Sequence, residues 1–495
     1  MVMTARLYHQ AVAYTRGRIS GLGLDWSNQP TTFKSYDGLE HVSLSRQADL
    51  PELSLWQALS RAEWGKDLSS EALSAVLFHA AGLTRANAHK GDQFFYRACP
   101  SAGALYPCEV YLAWPGLNDL KPGLYHYDVG RHGLTLLRDG FPLPQDLGLP
   151  ERSALPGEAI FFVTAIFFRT AWKYRARAYR YLNLDAGHLA EGLALGLSAY
   201  GTSYRMELDF DDAALANLLG VDPAREGCLT AIRFSAGKVR VSPCIPGPLP
   251  EMAGSLSRCA VLDDSPPEVL TVHDICSVVP GKESTPPSPE KSRLCSGLLW
   301  RDLPRLPGPP VQLSLFEAMS ARRSRRNFIP GAMPTGTMTK VLSCLRGPLY
   351  PPGPHPAEDT CAVGVLTGIE MQSQPGFAMF DRHGQRLGLR RDGNMRPAMA
   401  GICLDQIWMR EAAMHVLFLT DFAEVEPHLG NRGYRASLQA AGRLGHRLWL
   451  AAESLGLGAC GVGAFLDGEA AELLGLPEGV GLTYVMTVGQ ARRKR

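Results

Sequence analysis

Several short stretches combine residue types that could hold or transform a small molecule. Within residues 96–111, Pro100, Ser101, Gly103 and Pro107 form a loop ahead of the strand-like run 109–114. Such a loop aims backbone N–H groups and one hydroxyl at a ligand edge, although an ordinary turn has the same composition. Arg322, Ser324 and Arg326 alternate, so in an extended segment they project to one side. Two guanidiniums and a hydroxyl suit a phosphate, because arginine donates through a planar fork; the alternative is a solvated basic face. Arg492 opens a basic run to Arg495 that either returns a further cation to that phosphate or forms a solvated tail. Residues 456–461 spell Gly-x-Gly-x-x-Gly, but after a helical pattern rather than a strand, so the dinucleotide fingerprint lacks its context. Gly463 and Ala464 instead suit close backbone approach to a flat ring. Lys173 and Tyr174 precede a long helical pattern, where the residue types alone describe a surface pair.

Composition narrows the field. The 495 residues carry a net charge of +2, with 45% hydrophobic and 20% charged residues. That is a globular composition with no broad basic field for nucleic acid. The longest apolar run, residues 159–168, is too short to span a bilayer and reads as a buried strand. The first residues lack an apolar signal core, and eleven scattered cysteines without Cys-x-x-Cys or zinc spacing fit reduced thiols. These features predict a cytoplasmic protein with no metal site and no membrane segment.

The elements that position these residues occur twice. Residues 53–60, LSLWQALS, return as 313–320, LSLFEAMS, at an offset of 260 (313 against 53). The Gly123–Gly140 hairpin returns as Gly376–Gly393, an offset of 253 (376 against 123). Tyr179-Arg180, Gly187 and Gly201 return as Tyr434-Arg435, Gly442 and Gly456, an offset of 255 (434 against 179). So long a period means a duplicated domain rather than a solenoid. Each copy reads as helix, helix, loop, strand, hairpin, strand, long helix, strand, an α+β pattern. The expected organisation is an extended N-terminal arm (1–52), a first domain (53–244), a Pro-rich linker (245–310) and a second domain (311–495). Ser54 is the expected N-cap of the first domain's opening helix. The copies are not equivalent: the Arg-x-Ser-x-Arg clamp belongs to the second, and the Pro100-Ser101 loop and Lys173-Tyr174 to the first.

Residues 100–107 (PSAGALYP), 123–128 (GLYHYD), Lys173-Tyr174 and 179–188 resemble the nitroreductase-fold flavoenzymes, above all their SagB-type branch of azoline dehydrogenases. The second copy resembles the general nitroreductase pattern through Arg322-x-Ser324-x-Arg326 and residues 461–465. The resemblance implies FMN at an interface between two subunits. One subunit would hold the phosphate and the flavin edge, and the other would supply the Pro-Ser loop. Here both belong to one chain, implying a monomer that acts as a pseudo-dimer with one composite site. Arg322, Ser324, Arg326, Gly463, Ala464 and Arg492 would come from the second copy; Pro100, Ser101, Gly103, Lys173 and Tyr174 from the first. The Lys-Tyr pair would take the substrate proton as hydride leaves for the flavin, with dioxygen as one possible oxidant. A buried Lys173 beside Arg175 and Arg177 would titrate below its ordinary range. The substrate would be an azoline in a peptide or a small molecule, with a modification enzyme as a possible partner. The alternatives are an NAD(P)H-dependent nitro or quinone reductase and a flavin-binding protein without turnover.

Overall fold

The computed structural model describes the chain except residues 1–2, 19–22, 62–63, 90–91, 118–119, 143–147, 150–154, 156, 238–246, 278–291, 305–307, 332, 347–355, 368–374 and 493–495. The basic run beyond Arg492, most of the Pro-rich text at 350–356 and the 284–289 segment therefore lie outside the described residues.

Two seven-stranded antiparallel sheets repeat one topology. Across the first, the strands run His41–Ser43, Gly133–Asp139, Gly123–Asp128, Cys108–Trp114, Glu158–Ile166, Glu226–Ser235 and Tyr204–Glu207. Across the second they run Trp300–Asp302, Arg386–Asp392, Gly376–Asp381, Ala362–Thr367, Met414–Asp421, Val480–Gly489 and Gly458–Val462. Each central strand is buried along nearly its whole length, which explains the continuous apolar runs in the sequence. Each copy also opens on a capping box, with Ser54 and Gln57 in the first and Ser314 and Glu317 in the second.

The halves meet through their long helices, Ala178–Tyr200 and Arg432–Ser454, both almost wholly buried. A side chain at Gly187 would stand 2.3 Å from the Gln439 carbonyl oxygen, and one at Gly442 would stand 2.3 Å from that of Leu184. Glycine at these two positions lets the helix backbones touch, and the positions correspond between the copies. Reciprocal ion pairs flank the contact. Arg177 and Arg180 donate to Asp467 at 2.7 and 2.6 Å, while Arg432 and Arg435 donate to Asp212 at 2.9 and 2.8 Å. Every member of the second set stands 255 residues from its counterpart in the first (432 against 177, 467 against 212). The halves are thus related as two subunits of a symmetric dimer are.

Two expectations need correction. The N-terminal arm is not simply extended: Ala5–Ala11 is a helix capped by Thr4, and His41–Ser43 completes the first sheet. Tyr8 is buried against Tyr179 and Tyr434, so apolar contact with both halves fixes the arm. The stretch between the copies is also more than a linker. Pro267–Ser277 is a helix that buries Val269, Val272, His273 and Cys276, and Trp300–Asp302 is an edge strand of the second sheet.

Candidate active site

Where the halves meet, a cleft opens with a cavity volume of about 150 Å³. The first half supplies residues 100–103, Tyr174, Tyr181, Leu184, Asp185 and His188. The second supplies Ser324, Arg326, Trp449, residues 461–464 and Tyr484.

The structure therefore brings Pro100, Ser101, Gly103, Tyr174, Ser324, Arg326, Gly463 and Ala464 together around one space. Gly103 adopts a left-handed backbone (φ 66°), and a side chain there would stand 3.1 Å from the Tyr174 hydroxyl and 3.3 Å from Lys173 Nζ. Lys173 thus reaches the rim of the cleft at the Ser-Ala-Gly turn. Its expected burial is corrected: Lys173 is exposed on the last turn of the helix Phe167–Tyr174. Arg177 points away from it, to Asp467 and the carbonyls of Val12 and Gly463. Tyr174 is largely covered, and burial, followed by neighbouring Tyr181, raises its phenol above the ordinary range.

The phosphate clamp forms only in part. Arg322 closes the helix Leu315–Ala321 and turns inward. Its Nε donates to the Ala98 carbonyl at 2.7 Å, its Nη2 donates to that of Arg97 at 3.3 Å, and its guanidinium lies over Trp449. It therefore anchors the strand leading into the Pro100 loop instead of projecting beside Ser324. Ser324 and Arg326 stay exposed at the cleft, where Ser324 bridges Ala459 of the edge strand Gly458–Val462. Arg492 lies outside the lining: its backbone N–H donates to the Asn327 carbonyl and fastens the clamp segment. The glycines at 461 and 463 also make room for two rings of the protein itself. The rings that press on them are Tyr484 and Tyr181, and the Tyr181 hydroxyl donates to the Gly463 carbonyl at 3.2 Å.

Asp185 lies inside the 179–188 motif, but motif reading gave it no role at the site. It is buried at the cleft wall, accepts from the Ser101 hydroxyl at 2.5 Å and meets the Ala102 N–H at 3.2 Å. Ser101 Oγ in turn accepts from the Tyr106 N–H at 2.9 Å. These bonds hold a loop in which Gly103, Ala104 and Tyr106 all have positive φ. Burial raises the Asp185 carboxyl to about 7, although the hydrogen bonds from Ser101 and Ala102 oppose the shift. The signal in the sequence was a carboxylate inside an otherwise apolar helix face, one turn from His188.

The equivalent position on the other side of the axis is closed. Met206, Leu208, Ala440 and Arg443, the counterparts of Gly461, Gly463, Asp185 and His188 at the offset of 255 (461 against 206), surround only about 10 Å³. Beside it, Glu358 is buried under Arg443, Arg447 and Arg382, with its nearest oxygens at 2.8, 2.7 and 3.3 Å. These cations hold the Glu358 carboxyl well below the usual range despite burial.

The open cleft has groups that suit a flavin nucleotide. It offers a serine hydroxyl and an exposed guanidinium for a phosphate, and proline and aromatic walls for a flat ring. Among the described residues, no three metal-ligating side chains come together, and no helix is long and apolar enough to cross a membrane.

Comparison with known proteins agrees with this geometry. The nitroreductase family model matches residues 386–490. The trifolitoxin-processing protein TfxB of Rhizobium leguminosarum bv. trifolii is 26% identical over 173 residues, which is 33% of this chain and 46% of that protein. The chain thus matches about half the length of this curated relative. A protein of Methanocaldococcus jannaschii assigned as a nitroreductase is 28% identical over 151 residues, 28% of this chain and 72% of that one. The crystal structure of a protein of Anabaena variabilis, also assigned as a nitroreductase, superposes with a TM-score of 0.78 at 26% identity, covering 99% of this chain and 100% of that one. The chain thus carries a nitroreductase-family region at residues 386–490 and, over its full length, shares its fold with a protein assigned as a nitroreductase, as a tandem of two nitroreductase-like domains.

Proposed function

We propose that the chain is an FMN-dependent dehydrogenase of the SagB type that oxidises azoline rings in a peptide or a small substrate at one composite site. The observation that carries this reading is the convergence of Pro100–Gly103 and Lys173-Tyr174 with Ser324, Arg326 and Gly463, drawn from opposite halves, around a single cleft. The kinship with a trifolitoxin-processing protein supports a peptide substrate, and a modification enzyme as partner, over a free small molecule. FMN bound there would supply a hydride-accepting ring. Ser324 and Arg326 would hold its phosphate, and the Pro100 loop and the backbone at Gly463 and Ala464 would flank the ring.

The Lys-Tyr pair divides its work. A phenol held protonated by burial acts as a donor, so Tyr174 orients the substrate and leaves the Lys173 amine to accept its proton. The test is Lys173→Ala. It should retain FMN and lose turnover on an azoline substrate by ~10²-fold or more, the usual contribution of a general base; unchanged turnover refutes the role. An NAD(P)H-dependent nitro or quinone reductase is the second reading, favoured by relatives assigned as nitroreductases. Rapid bleaching of the bound flavin by NADPH in the absence of any azoline would select it.

A further inference from the structure

Asp185 separates two spaces. On one side is the cleft; behind the Pro100 loop lies a chamber of about 20 Å³ lined by Arg97, Cys99, Cys108 and Asp185. That volume admits one water. Arg97 is buried, and its Nε has no protein partner, leaving a donor for such a water. Between the spaces, the Ser101 hydroxyl is the link from the carboxyl to the cleft whose proton can change partner, the other being the Ala102 backbone N–H. The hydroxyl donates to Asp185 and accepts from Tyr106.

We propose that Asp185 is the proton-holding residue of this site and acts through Ser101 to set the hydrogen-bonding polarity that the cleft presents to its ligand. With Asp185 ionised, the Ser101 proton is committed to the carboxylate, so the hydroxyl can offer the cleft only a lone pair. With Asp185 protonated, the carboxyl donates to Ser101 Oγ, and the hydroxyl proton is released toward the cleft. Only O–H bonds form or break: one proton passes between Asp185 and water, and no oxidant or reductant is involved.

The surroundings favour such a group. The titratable neighbours are Cys99 and Cys108 behind it, Tyr174 and Tyr484 beside it, and Tyr181 and His188 on its own helix. Burial keeps the thiols and the phenols of Tyr174 and Tyr484 protonated and the His188 imidazole neutral. Arg322 lies against the loop carbonyls and Arg326 lines the same cleft, but no cation is among the causes that shift Asp185, which leaves burial free to raise it. The sign follows. Below about 7 the carboxyl is neutral and Ser101 donates; above it the carboxyl is charged and Ser101 accepts. A flavin edge rich in acceptor atoms is therefore held more tightly on the acid side.

The inference rests on the flavin reading of the cleft, so its experiment separates the two. Infrared difference spectra of the full chain between pH 5.5 and 8.5 should show a protonated carboxyl band that disappears near neutrality. The band should be absent in Asp185→Asn and shifted in Ser101→Ala. Absence of a titrating band in the parent chain, or its survival in Asp185→Asn, overturns the proposal. In parallel, binding of riboflavin, which has no phosphate to titrate, should be about tenfold tighter at the acid end, the change produced when the bound ligand shifts the coupled carboxyl by about one pKa unit. Asp185→Asn and Ser101→Ala should flatten that dependence, and Ser101→Thr should restore it. Flavin affinity that ignores pH while the band titrates also overturns the proposal. If neither riboflavin nor FMN binds at any pH while the band behaves as described, the flavin reading fails instead.

Discussion

At the scale of single residues, the cleft distinguishes a side chain that faces the ligand from one that holds the wall. Arg322 and Arg326 stand four positions apart in one motif, yet Arg322 is spent on the Arg97 and Ala98 carbonyls while Arg326 remains exposed at the cleft. Arg326→Ala should therefore weaken FMN by about 10- to 100-fold, the ~1.5–3 kcal/mol of a charged hydrogen bond, and leave riboflavin affinity unchanged. Fluorescence titration with both ligands measures it, and equal losses for the two would place Arg326 elsewhere. The alternation of Arg322, Ser324 and Arg326 was legible in the sequence. That the first of them closes a helix and turns into the interior was not, because the acceptors it finds lie more than two hundred residues away. Asp185 was hidden for the opposite reason: a lone carboxylate in a helix gains meaning only from the loop folded onto it.

At the scale of elements, each copy carries a short helix, a turn and a long helix, and the turns show what the first copy has retained. Arg175 follows Tyr174 with φ 50° and ψ −136°, and its counterpart in the second copy is Gly430 at φ 56° and ψ −154°. Only glycine adopts this region without strain, and a residue such as arginine costs ~1–3 kcal/mol there. The turn directly follows Lys173 and Tyr174 and fixes where they end. Arg175→Gly should raise the unfolding free energy by ~1 kcal/mol, after allowing for the greater freedom of glycine in the unfolded chain. Urea denaturation tests this, and a loss of stability would mean that the Arg175 side chain contributes more than its backbone costs. The repeated phrases made the strands, hairpins and long helices readable, although the long helices bury their polar faces as well as their apolar ones. The helix Pro267–Ser277 was lost among prolines, because tertiary contact with both halves, rather than local pattern, stabilises it.

At the scale of the whole molecule, two degenerate copies have divided one task. The open cleft takes the Pro100 loop from the first half and Ser324 and Arg326 from the second, while the related position is filled by Met206, Leu208 and Arg443, which pairs with Glu358. Removing one member of a buried ion network leaves the others uncompensated, so Glu358→Ala should destabilise the fold by ~3–5 kcal/mol without creating a second flavin site. Calorimetry together with flavin content checks both parts. That the domain occurs twice was legible from the offsets, and that the copies face each other was implied by the family resemblance. That one interface is shut was not, since it depends on which side chains converge across the axis. The most direct test of this account is the flavin content of the purified chain, measured by releasing the flavin and comparing it with protein concentration. One FMN per chain is the predicted result, and two per chain would contradict it.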